Sequence, residues 1–194
     1  VNLTNRNGQS RDPKIGVSGD TAIIVWQNHA DSMSGIFVAT STDRGGHFSK
    51  PVKISSGSGG TSSPQLSISG DRVAIVWQEN IGDNAEIMVA TSTNRGKSFL
   101  EPVNVSKNSG ASTAPQVGTS GNNIVIAWYD NTTGYHRIYV VHSTDGGIKY
   151  TAPMNLASGG IAVRGYAGLP QMGTSDSIAL GGNTEEIKRL QMKV

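Results

Sequence analysis

The 194-residue sequence predicts an all-β protein made of repeated four-stranded antiparallel units. Three observations carry that prediction. Trp26, Trp77 and Trp128 recur every 51 residues, as do Pro13, Pro64 and Pro115, and Pro51, Pro102 and Pro153. A period of that length marks a solenoid, an array or a propeller. Within each period, apolar residues alternate or run in short blocks bounded by Gly, Ser and Asp, the pattern of strands and turns. Only 15% of the residues are charged and 25 are glycine, which argues against long, charged surface helices.

The elements follow in order. Each unit opens on an inner strand, PKIGVSGD, PQLSISGD or PQVGTSGN, which alternates and ends in a Ser-Gly turn. Its axis-facing positions, Lys14 and Gly16, Gln65 and Ser67, Gln116 and Gly118, are small or polar, as a narrow axis requires. The next segments, TAIIVWQ, RVAIVWQ and NIVIAWY, are continuous apolar runs, expected for a central strand buried on both faces. A third strand reads GIFVATS, EIMVATS or RIYVVHS, and a short fourth reads PVKIS, PVNVS or PMNLA. Four antiparallel strands per period describe a propeller blade; sandwiches do not repeat this faithfully.

The repeat units are 1–51, 52–102, 103–153 and a degenerate fourth, 154–194, in a single domain covering 1–194. Val1-Asn2-Leu3 aligns with Val52-Lys53-Ile54, so the chain is expected to open on an outermost strand. The fourth unit offers LPQMGTSD as inner strand, SIAL as middle strand and EIKRLQMKV as third, without the Trp or the repeated turn. The expectation is a ring of about four blades in which the N-terminal strand completes the last, an arrangement that covers exposed edges. The alternative is part of a larger or dimeric propeller, and a homo-oligomer fits that alternative.

Composition excludes several functions. The net charge of +2 comes without a basic run, so nucleic acid is not an expected partner. No apolar stretch reaches membrane-spanning length. The absence of Cys removes disulfides, thiol catalysis and zinc-thiolate sites. The four histidines, His29, His47, His136 and His142, are scattered without metal-ligand spacing, and no metal or cofactor is expected. The chain begins at Val1, as a processed chain would, and Asn2, Asn104 and Asn131 each start an N-glycosylation acceptor pattern. An extracellular or cell-surface location is therefore expected.

Between the third and fourth strands of each unit lies a polar turn. STDRGGHF carries Ser41, Asp43, Gly45 and Phe48; STNRGKSF carries Ser92, Asn94, Gly96 and Phe99; STDGGIKY carries Ser143, Asp145, Gly147 and Tyr150. A short carboxylate accepts N–H bonds from its own turn, and Gly supplies the backbone angles. The Asn at position 94 can cap a turn and cannot serve as a catalytic acid, so a structural role is expected for these residues. The pattern resembles the Asp-box of the BNR repeat, carried by sialidases and many other propellers. The resemblance implies that the boxes mark one face and that a sialidase-like site would use the other.

That second face is built from the interblade links near 8–12, 57–63, 108–114 and 158–169 and from the second turns near 28–35, 79–85 and 130–136. The candidate ligand-binding residues there are Arg11, Asp12, Asn28, Asp31, Glu79, Asp130, Arg164 and Tyr166. Arg11-Asp12-Pro13 resembles the Arg-Ile-Pro motif of sialidases, and an Arg fork suits a carboxylate. The resemblance further implies three arginines, a Tyr–Glu nucleophile pair and an Asp acid, for which Arg11, Arg137 and Arg164, Tyr135 or Tyr166, and Glu79 or Asp31 are the nearest matches. No spacing selects a Tyr–Glu pair, and the family's enzymes usually have six blades. The expected function is therefore a non-catalytic propeller that binds a glycan or a protein. The alternatives are a sialidase-type exo-glycosidase complete only in a longer chain or oligomer, and a structural propeller without a small-molecule ligand.

Overall fold

The computed structural model describes residues 2–4, 9–29, 34–56 and 60–156. Within them twelve strands form three four-stranded sheets. The first contains β1 (Gln9–Ser18), β2 (Thr21–His29), β3 (Gly35–Ser41) and β4 (Val52–Lys53). The second contains β5 (Thr61–Ser69), β6 (Arg72–Ile81), β7 (Asn84–Ser92) and β8 (Val103–Asn104). The third contains β9 (Ser112–Ser120), β10 (Asn123–Asp130), β11 (Arg137–Ser143) and β12 (Met154–Asn155). Each sheet runs inner to outer strand in chain order, every neighbour antiparallel, which is the meander of a propeller blade. Every blade closes just beyond the repeat boundary drawn at its proline, because its outer strand lies at the start of the following sequence unit.

The inner strands begin before the prolines that the sequence suggested as their starts. Each Pro sits inside its strand at a break in register: between Arg11 and Lys14, between Ser62 and Gln65, and opposite Ala127–Tyr129. Proline has no N–H for the ladder, so the strand bulges around it. The residues just before it, Asp12, Ser63 and Ala114, take positive φ of 50°, 53° and 51°. Asp12 is thus one of three equivalent bulge residues.

The core lies between blades. Ile23, Val25, Ile36, Val38 and Ile54 of blade 1 pack against Val73, Ile75, Trp77, Met88 and Ala90 of blade 2. Ala74, Val76, Ile87, Val89 and Val105 pack in the same way against Val117, Ile124, Ile126, Trp128 and Val141 of blade 3. Trp77 and Trp128 are fully buried, as the apolar runs ending in them require. Trp26 stacks on Phe37 with ring centroids 6.1 Å apart, and Trp128 on Tyr139 at 6.2 Å.

The N-terminal expectation needs correction. Asn2–Thr4 form a turn rather than a strand, closed by the Thr4 N–H and hydroxyl on Asn2 Oδ1. Leu3 nevertheless packs against the cluster of Trp26, Phe37 and Ala39. It lies 51 residues before Ile54, which packs against the following blade in the same manner. The proposed fourth blade, with its LPQMGTSD, SIAL and EIKRLQMKV strands, lies outside the described residues. No helix among the described residues is long and apolar enough to cross a membrane.

Candidate ligand-binding face

Antiparallel strand order puts the first and third turns of each blade at one end. Backbone bonds join them: Arg44 N–H to Asp20 O at 2.9 Å, Arg95 N–H to Asp71 O at 3.0 Å and Gly146 N–H to Asn122 O at 3.0 Å. At the other end the second turn meets the interblade link, with Asn80 N–H on Gly60 O at 2.9 Å and Asn131 N–H on Ala111 O at 3.3 Å. The molecule therefore has one face that carries the three box-like turns, called the box face for short, and an opposite face.

On the box face the polar residues satisfy one another. Ser41 Oγ donates to Asp43 Oδ1 at 2.7 Å and accepts the Gly45 N–H at 2.9 Å, while Asp43 Oδ1 accepts the His47 N–H at 2.8 Å. Ser143 and Asp145 repeat this with the N–H groups of Ile148 and Lys149, both at 3.0 Å. In the second copy Asn94 Oδ1 takes the same place, accepting Ser92 Oγ at 2.9 Å and the Ser98 N–H at 3.0 Å. The His47 N–H first, then Ser41 and the His47 ring, hold Asp43 well below the ordinary carboxylate range. The Lys149 N–H, followed by Ser143, does the same for Asp145.

Two of the box aromatics pack between blades, and the third packs on its own blade. Phe99 joins the cluster of blades 1 and 2, Tyr150 that of blades 2 and 3, and Phe48 the cluster around Trp26. Tyr150 Oη is buried without a hydrogen-bond partner among the described residues, and burial pushes its pKa upward. A cleft of about 790 Å³ opens between the outer edges of blades 1 and 2, lined by Phe48, Phe99, Lys50, Lys53, Lys97 and Glu101 among others. His47, paired through Nδ1 with Asp43 Oδ2 at 2.6 Å, has a side chain that is 93% exposed.

The opposite face is less uniform. Asn28, Glu79 and Asp130 occupy equivalent positions at the ends of the middle strands, as the repeat predicts, and all three are buried. Trp77 Nε1 donates to Glu79 Oε2 at 2.7 Å, and Ser10 Oγ to Asn28 Oδ1 at 3.1 Å. Asp130 accepts from Ser112 Oγ at 2.8 Å, from the Thr132 N–H at 2.9 Å and from Asn108 Nδ2. Burial works against its ionisation, yet the bonds from Thr132, Ser112 and Asn108 outweigh that and lower its pKa. These candidate residues are buried, and their hydrogen bonds tie the loops to the core.

Glu86, Asn84 and Asn108, which no sequence motif marks, join this buried polar set. Glu86 is buried directly across the ladder from Glu79 and accepts from Ser106 Oγ and, at 2.9 Å, from Asn84 Nδ2. Asn84 Nδ2 also donates to Asn108 O at 2.9 Å, and Asn108 reaches Asp130, so one hydrogen-bonded chain links blades 2 and 3. A signal was present, because Glu86 stands where the other units have Gly35 and Arg137.

Arg11 and Asp12 are exposed beside the first bulge, and Arg11 donates to Gln9 Oε1. Asp31, Arg164 and Tyr166 lie outside the described residues. Blade 3 adds a feature that no spacing foretold. The Arg137 guanidinium lies over the Tyr135 ring, 5.9 Å from its centroid, and Tyr135 is 73% exposed. Arg137 forms no ion pair among the described residues. No group of three or more His, Cys, Asp or Glu among the described residues is placed to hold a metal.

With two such faces on three blades, comparison with solved structures is informative about the fold. The likeness is to glycosidases. The chain superposes on a Hadza microbial sialidase, Hz136, with a TM-score of 0.52 and 18% identity over 73% of this chain and 36% of that one. A mutant Trypanosoma rangeli sialidase displaying trans-sialidase activity gives a TM-score of 0.52 and 16% identity over 73% of this chain and 30% of the other. A glycosyl hydrolase from Bacteroides ovatus gives 0.51 and 15% identity over 77% and 51%. The chain thus spans about a third to a half of these structures. No family model matches the sequence, and no curated protein does. Identities this low establish the propeller fold and leave the chemistry open.

Proposed function

We propose that this chain is an Asp-box propeller module that recognises a glycan through its opposite face without hydrolysing it, and that it works outside the cell or at its surface. The observation that carries this reading is Arg137 over the exposed Tyr135 ring, on a face where Glu79, Glu86 and Asp130 are buried. An exposed aromatic ring offers a flat apolar surface to a sugar, and the adjacent guanidinium supplies hydrogen-bond donors. The three box-like turns support the repeat assignment through their shared geometry. Because Glu79, Glu86 and Asp130 are buried and engaged, they are poorly disposed to act on a bound glycoside.

A second reading is favoured by the likeness to sialidases: a glycoside hydrolase whose site is completed by a longer chain or an oligomer. One set of measurements separates them. Under the first reading, immobilised glycans capture the protein, Tyr135→Ala and Arg137→Ala each weaken capture at least about tenfold, and sialosides incubated with the protein stay intact. Release of the terminal sugar would favour the hydrolase, and capture unaffected by both substitutions would refute the assignment of the site.

A further inference from the structure

Along the axis, the two internal blade junctions share a plan. Leu66 and Ile68 of β5 press against the backbone of Gly16 in β1, where a Cβ would stand 3.2 Å from Leu66 Cδ2 and 3.0 Å from Ile68 Cγ2. Beyond them, Ser18 Oγ accepts the Gly70 N–H at 3.2 Å, and Ser69 Oγ accepts the Gly121 N–H at 3.1 Å. At the second junction Val117 takes the apolar place, and Ser67 Oγ meets the Thr119 hydroxyl at 2.8 Å and accepts its N–H at 3.0 Å. The following blade contributes apolar side chains and a turn amide. The preceding blade contributes a small residue and a serine.

The chain presents both halves of a further junction of this kind. On blade 1, Ile15 and Val17 hold the positions of Leu66 and Ile68, yet they are 66% and 62% exposed, and Gly19 follows at the position of Gly70. On blade 3, Gly118 and Ser120 hold the positions of Gly16 and Ser18, and Ser120 Oγ accepts no hydrogen bond among the described residues. Apolar side chains exposed side by side on one strand face, where the equivalent residues of the next blade are partly buried, offer a surface for a partner.

We propose that this face of blade 1 docks on the open face of the inner strand β9 of blade 3 in a second copy of the chain. Ile15 and Val17 cover Gly118 of the other copy, and the Gly19 N–H bonds to its Ser120 Oγ. The two halves differ, so one junction leaves an unused half on each chain. A reciprocal pair satisfies all four halves and closes a two-chain ring, whereas unclosed pairing would propagate.

The chain has no Cys, so single thiols can report on the contact. Val17→Cys and Gly118→Cys are prepared separately, oxidised alone and oxidised as a mixture, and the unmodified chain is weighed by light scattering over a range of concentrations. The proposal expects a disulfide-linked dimer in the mixture and little in either variant alone, because only the mixture brings unlike faces together. It also expects a mass twice the 20.3 kDa of the chain, falling to the monomer value in Val17→Asp. A monomer at every concentration overturns the proposal. So does a monomer whose Val17→Cys thiol resists alkylation, since the face would then be covered by the same chain. Equal cross-linking in the single-variant controls overturns it as well.

Discussion

The box face and the opposite face carry the same 51-residue repeat and use it differently. On the box face even a changed residue keeps the geometry: Asn94 accepts the same two bonds as Asp43 and Asp145 do. Across the ladder on the opposite face, equivalent pairs become Asn28 with Gly35, Glu79 with Glu86, and Asp130 with Arg137. The joining loops diverge too, from the turn at Gly82 and Asp83 to the longer segment that carries Tyr135. A turn bonded to its own backbone accepts only residues that keep those bonds. A loop end tied down by one buried anchor is free to vary beyond it. Recognition is expected where the repeat varies.

The largest expected effect tests the anchors. Trp77 is fully buried between blades and donates to Glu79, so Trp77→Ala removes a large apolar volume and leaves a buried carboxylate without its donor. A loss of about 3–5 kcal/mol is expected in chemical denaturation. Trp77→Phe keeps most of the ring volume and removes the N–H, so the difference between the two variants isolates the anchor's polar part. If Trp77→Phe is neutral, Glu79 does not depend on the indole, and the contrast between anchored and self-satisfied faces weakens.

Next come the box glycines, which look alike in sequence and differ in setting. Gly45, Gly96 and Gly147 have φ of 87°, 74° and 92°, so an alanine at any of them is strained by about 1 kcal/mol or more. Around Gly45 an added Cβ meets only Phe48, at 4.0 Å. At Gly96 it would lie 2.7 Å from Ile23 Cδ1 and 3.0 Å from Thr40 Oγ1 of the preceding blade. Gly96→Ala is therefore expected to lower stability more than Gly45→Ala, by about 1–3 kcal/mol for the overpacked junction. Equal losses in denaturation curves would mean that the box glycines serve only their own turns.

This contrast also shows what the sequence could convey. The period, the strand order, the buried tryptophans and the box turns were legible because each rests on local chemistry repeated three times. The break at each Pro is legible in principle, since a residue without an N–H interrupts the ladder, but the strand also extends before it, which no residue pattern marks. Burial of Glu79 and Asp130 was hidden because an acid in a turn-like segment reads as exposed until its partners, Trp77 and Ser112, are placed beside it. The stacking of Arg137 on Tyr135 depends on loop conformation that no periodicity encodes.

A smaller effect is expected where the third box departs from the others. Phe48 and Phe99 have no hydroxyl, while Tyr150 places Oη in a buried position without a partner among the described residues. Tyr150→Phe restores the residue type of the other two copies and removes that unsatisfied group, so a gain of about 1 kcal/mol is expected. An unchanged or lowered midpoint in urea would show that the hydroxyl is satisfied in solution, and the third box would then differ from its siblings in more than packing.

The smallest effect at neutral pH separates the two faces by acid. Asp43 and Asp145 are held below the ordinary value of 3.8, chiefly by turn N–H groups, while Asp130 is lowered by its Thr132, Ser112 and Asn108 bonds against the effect of burial. A carboxylate whose pKa is depressed by folding adds stability above its unfolded pKa, and that stability is lost as the pH falls through the folded value. The loss therefore begins near pH 3.8 and continues below it. Asn94 fills the same geometry without a titrating group, so the double substitution Asp43→Asn with Asp145→Asn should change little at pH 7 and flatten the acid limb of a stability profile. Asp130→Asn should flatten it too, but at a measurable cost at pH 7, because its buried carboxylate accepts several bonds that an amide meets with one oxygen and an added donor. If the double box variant loses more at neutral pH than Asp130→Asn does, the box carboxylates contribute more than the closure of their own turns, and the division of labour between the two faces fails.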